Sequence, residues 1–141
     1  MTYLLSVFVT ASLLFTPTKS SKLEINIVGL ESNSGKVLVL VFNESTGFPE
    51  DDSKAYKFLE LSISNKTAKG SITDIPAGTY AISALHDEDG DGKMKKNGVG
   101  FPTESFGFSN DPSILFSAPS FEKCSFTVKE GTPKQISIKL K

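Results

Sequence analysis

Two runs decide how this chain folds: Leu23-Glu24-Ile25-Asn26-Ile27 and Lys36-Val37-Leu38-Val39-Leu40-Val41-Phe42. In the first, apolar and polar residues alternate, so an extended strand carries Leu23, Ile25 and Ile27 on one face and Glu24 and Asn26 on the other. The second is a nearly unbroken β-branched and apolar run, suited to a central strand. Gly35 follows a Ser/Asn cluster between them, and the two are expected to pair as a hairpin.

Outward from this pair, Gly47-Phe48-Pro49-Glu50-Asp51-Asp52 combines an early proline with first-turn carboxylates and predicts a short helix to about Tyr56. Leu59, Leu61 and Ile63 alternate as a strand, Asn65-Lys66 turns the chain, and the more polar Ala68 to Thr73 reads as an edge strand. Ile75-Pro76-Ala77-Gly78 is a tight reversal feeding Tyr80 to His86, where parity puts Tyr80, Ile82, Ala84 and His86 together and Ala81, Ser83 and Leu85 opposite. From Asp87 to about Ser120 no alternation persists, which predicts a long ordered loop. Phe121 to Val128 and Lys134 to Leu140 close the series. About seven short strands, one short helix and no sustained helical period define an all-β class, an antiparallel two-sheet sandwich.

The length of 141 residues, 38% of them hydrophobic, suits one folded domain rather than a disordered chain. A net charge of −1 provides no basic field, which argues against nucleic acid as a partner. Residues 1–20 read as a signal peptide, with an uncharged apolar stretch Met1 to Leu14 too short to span a bilayer and small or turn-forming residues Thr16, Pro17, Thr18 and Ser20 beyond it. The n-region carries no Lys or Arg, a departure from the usual signal. Residues 21–141 are then a secreted or periplasmic domain, with no membrane span once the signal is removed. Cys124, the sole cysteine, reads as a small strand hydrophobe, the alternative being a reactive or intermolecular thiol.

His86-Asp87-Glu88-Asp89-Gly90-Asp91-Gly92-Lys93 places carboxylates at alternate positions on a glycine-curled backbone, so Asp87, Asp89 and Asp91 are candidate metal ligands and calcium the candidate cofactor. The bidentate acid that an EF-hand needs at its twelfth position is missing, since Gly98 stands there, and Lys93, Lys95 and Lys96 crowd the loop. Glu104 folding back is one substitute. The other reading is a solvated Asp/Gly turn whose carboxylates cap backbone amides. His86 serves as a ligand or base in one reading and hydrogen-bonds a backbone group in the other. In the Phe101 to Pro112 segment, Phe106, Phe108 and Asn110 are candidate ligand contacts, the alternative being that the rings plug one end of the sandwich. No nucleophile elbow and no phosphate-binding glycine loop occurs.

Three stretches, Ile75-Pro76-Ala77-Gly78-Thr79-Tyr80-Ala81, His86 to Lys93, and Gly98-Val99-Gly100-Phe101-Pro102-Thr103-Glu104-Ser105-Phe106-Gly107-Phe108-Ser109-Asn110, resemble the signature of an exported bacterial family known only as a domain of unknown function. The matching positions include His86, Asp87, Asp89, Asp91, Gly92, Pro102, Glu104 and Gly107 to Asn110; Lys95 departs where the family commonly has Asp, and Phe106 where it has Tyr. The resemblance implies a secreted or periplasmic sandwich of the immunoglobulin-like or prealbumin-like kind, without an established activity. The expectation is therefore a non-enzymatic binding or surface-interaction module taking an unidentified protein or small-molecule ligand. A purely structural sandwich without metal and a hydrolase using His86 and a carboxylate are the alternatives.

Overall fold

In the computed structural model, which describes residues 15–17 and 19–141, strand β1 (Ser21–Val28) buries Leu23, Ile25 and Ile27 and exposes Lys22. The apolar stretch 1–14, read as an export signal, lies outside the described residues. β2 (Lys36–Phe42) buries Val37, Val39 and Val41 on one face and Leu38 and Phe42 on the other.

These two strands are not a hairpin, because they belong to different sheets. β1 pairs antiparallel with β5 (Thr67–Ile75) and parallel with β9 (Lys134–Lys139), while β4 (Ile63–Ser64) flanks β5. β2 lies between β3 (Lys57–Leu61) and β6 (Gly78–Asp87), and β7 (Phe106–Phe108) and β8 (Phe126–Val128) both pair with β6. The apolar rows of β1 and β2 can cover one another only if they face across a gap between sheets. The fold is thus an all-β sandwich of a four-stranded and a five-stranded sheet, antiparallel except for the β1 and β9 pair.

Other differences have local causes. The expected helix near Gly47 is reduced to a 3₁₀ turn, Asp52–Lys54, capped by the Asp51 side chain, before β3 takes over. The alternation Leu59, Leu61, Ile63 is divided at Ser62, where the chain changes sheets. β5 is covered by β4 only at Thr67 and Ala68, so most of its length is the edge expected of so polar a strand. The Asp87 to Ser120 segment is interrupted by β7, too short to show a period. Phe121–Cys124 is a helical turn, α1, capped by Ser120, instead of the start of a strand.

Between the sheets, Leu23, Ile25 and Ile27 meet Val37, Val39, Val41, Tyr80 and Ile82. A second cluster covers the outer face of β6: Ala81, Phe108 and Cys124, with Phe48, Phe106, Ile114 and Phe121 against them. Phe48 stands edge-on to Phe42 at 5.3 Å and to Phe121 at 5.9 Å. Phe106 and Phe108 of the aromatic segment therefore lid a sheet face together with Phe48 and Phe121 instead of plugging an end, while Phe101 stays exposed, and this cover explains why β2 is apolar on both sides. Among the described residues, no helix is long and apolar enough to cross a membrane.

Candidate functional site

β6 delivers His86 and Asp87, both buried, into the acidic loop. Gly90 and Gly92, each at φ +75°, curl the backbone around the Asp87 carboxylate. Asp87 Oδ1 accepts hydrogen bonds from the amides of Gly90 (3.0 Å) and Asp91 (3.2 Å), and Oδ2 from Gly92 (3.0 Å). Asp89 Oδ1 accepts from the Asp91 amide at 3.2 Å, and Asp91 Oδ1 from the Lys93 amide at 2.8 Å. One oxygen from each of Asp87, Asp89 and Asp91 falls within 4.8 Å of the others, a group that could hold a metal ion. The Asp91 amide holds the Asp89 carboxyl below its ordinary value against partial desolvation, with the Lys95 ammonium 3.6 Å away aiding it.

Glu104 stands outside that group. Its buried carboxylate clamps the loop at both ends, accepting from the Glu88 amide (3.1 Å) through Oε1 and from the Lys95 amide (3.0 Å) through Oε2. His86 Nε2 donates to the Ser34 carbonyl at 2.8 Å, and its amide donates to Ser105 O at 2.8 Å. The ring thus ties the β1 to β2 connection to the base of the loop, with Nδ1 at 3.8 Å from Glu88 Oε1. Beside the loop, an open polar groove of about 730 Å³ is bordered by Ser32, Ser34, Glu88, Asp89, Lys95, Thr103 and Glu104.

Phe106, Phe108 and Asn110 do not border this groove. Phe106 and Phe108 pack into the outer aromatic cluster, and Asn110 Nδ2 donates to the Ser125 (2.6 Å) and Lys123 (3.3 Å) carbonyls. Ser109, noticed in the sequence only as a motif match, is fully buried; its Oγ accepts from the Ile82 amide at 2.9 Å and donates to the Cys124 carbonyl. The Ser109→Ala variant leaves that amide and that carbonyl without a partner, so it is expected to lose about 2 kcal/mol in urea unfolding. Gly35 was visible in sequence only as a turn residue, although its backbone abuts the Asp87 carbonyl.

Cys124 is buried at the end of α1, and burial pushes its thiol up to about 11. At pH 8 the native protein is expected to react with a thiol reagent on the order of a hundredfold more slowly than the urea-unfolded chain, because the thiolate is the nucleophile. Equal rates would place the sulfur in solvent.

Fold and loop together define the class: a two-sheet β-sandwich with a carboxylate-rich loop on the end of a central strand. The chain belongs to a bacterial family described as an uncharacterized protein conserved in bacteria (DUF2141), whose model matches residues 25–137. No curated protein and no solved structure matches it.

Proposed function

We propose that this protein is an exported, non-enzymatic binding module whose Asp87 to Asp91 loop takes a calcium ion and so fixes the adjoining groove for a ligand. The observation that carries this reading is the convergence of three carboxylate oxygens within 4.8 Å. Like charges so close repel, and a divalent cation offsets the repulsion with hard oxygen donors. Asp87 is already oriented by three amides, while Asp89 and Asp91 are exposed and able to complete a coordination shell with water. The hydroxyls and carboxylates along the groove suit a polar small molecule or a polar protein edge. His86, buried and engaged with the Ser34 carbonyl, supports a role in positioning rather than acid or base chemistry. Export is supported by the apolar stretch 1–14, and recovery of the chain in the periplasmic fraction of a bacterial host tests it.

Calcium is expected to raise the melting midpoint relative to chelator, by about 2.7 kcal/mol of added stability at a hundredfold excess over the dissociation constant. The Asp89→Asn/Asp91→Asn double variant should lose that response. A calorimetric titration without heat, together with superimposable melts, would end the calcium reading. The second reading, a loop held by hydrogen bonds alone, is favoured by the three amides that Asp87 already accepts, and it makes Asp89→Ala equally costly with and without calcium.

A further inference from the structure

The segment after the acidic loop has a character opposite to it. Lys93 to Thr103 contains three lysines and no acidic residue, in a chain whose net charge is −1. It folds as a narrow hairpin closed by an antiparallel bridge between Lys96 and Pro102 and by the Thr103 amide on the Lys95 carbonyl at 2.8 Å. At its apex, Val99 is 79% exposed and Phe101 68% exposed. Neither side chain is needed to close the turn. Asn97 does that: its Oδ1 accepts the amides of Val99 and Phe101, both at 3.0 Å, its own amide reaches the Phe101 carbonyl, and the Gly100 amide reaches the Asn97 carbonyl, both at 2.9 Å.

The amides of Asn97, Val99, Gly100 and Phe101 therefore have partners inside the hairpin, so these donors can leave water without being stranded. Large apolar side chains held in solvent on such an apex, with cations behind them, match an interface that is apolar below and negatively charged above. We infer that the Lys93 to Thr103 hairpin docks this protein on an anionic lipid surface. Val99 and Phe101 enter the interfacial layer. Lys93 and Lys96, both exposed, meet the headgroup phosphates through long flexible stems, while Lys95 stays paired with Asp89 at 3.6 Å. The docking does not require the cation proposed for the neighbouring carboxylates.

The chain has no tryptophan, so Phe101→Trp installs a single indole that reports the apex alone. Titrated with phosphatidylglycerol vesicles in the presence of chelator, this probe is expected to shift to the blue and to be quenched by lipids brominated in the acyl chain. Phosphatidylcholine vesicles should leave it unchanged. Adding Lys93→Gln and Lys96→Gln should weaken the titration by at least about tenfold, and raised salt should weaken it further. A second probe, Phe116→Trp, marks an exposed ring on a segment without lysines and is expected to stay in water. An apex indole that keeps its aqueous emission with anionic vesicles overturns the inference, and so does an equal shift at both probes. Working in chelator keeps this outcome separate from the calcium melts, because each can fail while the other succeeds.

Discussion

Asp87→Ala is expected to destabilise the protein by about 3–5 kcal/mol, read as a lower urea midpoint with an unchanged slope. The side chain is fully buried, and its two oxygens accept three backbone amides. Hydrogen bonds to a charged group contribute about 1.5–3 kcal/mol each, but three on one loop are not additive, since the freed amides of Gly90 and Gly92 can rehydrate as the loop opens. The expected loss therefore falls at and below the lower end of the summed range. Asp87→Asn should fall between, because one amide oxygen can serve two of the donors while its NH₂ group faces the third. Asp89→Ala should have a far smaller effect, since Asp89 is exposed and holds one amide. Measured in chelator, this ranking tests the scaffold of the loop alone; a wild-type midpoint for Asp87→Ala would mean that the carboxylate does not organise the backbone around it.

That ranking was half visible in the sequence. The alternate spacing of Asp87, Asp89 and Asp91 with Gly90 and Gly92 foretells convergence, because a glycine-curled backbone turns successive side chains inward. It does not tell which of the three is buried. Asp87 is buried because it ends β6, whose register with β2 sets it opposite Lys36. Glu104 is a similar case: the missing twelfth-position acid suggests it as a substitute metal ligand by folding back, yet it accepts amides from both ends of the loop, a role fixed by where the chain returns.

The same division holds for the fold. Alternation in Leu23, Ile25 and Ile27 marks the buried face of β1, and parity groups Tyr80, Ile82, Ala84 and His86 on one face of β6, since period two is a local property; parity does not tell that Ala81, on the opposite face, is buried as well. Which strand lies opposite is not local. The adjacent apolar runs of β1 and β2 suggest a hairpin although the apolar rows face across the sandwich, and the parallel partnership of β1 with β9 has no signature in either strand. Short elements were lost for a different reason: Phe106-Gly107-Phe108 has three residues and no measurable period, and the aromatic Phe121 at the head of α1 imitates a strand.

Gly35→Ala is the second substitution expected to be severe, with a loss of about 3–5 kcal/mol or failure to fold. A residue other than glycine at φ +68° costs about 1–2 kcal/mol for the left-handed backbone. An added Cβ would also overlap the Asp87 carbonyl oxygen and stand 2.7 Å from the Glu88 Cα, and both obstacles are backbone atoms that no rotamer change can move. Retreat is blocked on the other side, because the next residue, Lys36, is paired with Asp87 in the β2 and β6 ladder, and Ser34 accepts the His86 ring. Gly90→Ala is the matched control: its φ is +75°, but nothing lies within 4 Å of the added carbon, so only the backbone cost of about 1–2 kcal/mol applies. If the two variants unfold at the same urea concentration, the loop is not seated against the β1 to β2 connection. If Gly35→Ala is much the worse, the acidic loop takes its shape from the sandwich beneath it, and any ligand it holds is coupled to the stability of the sheet.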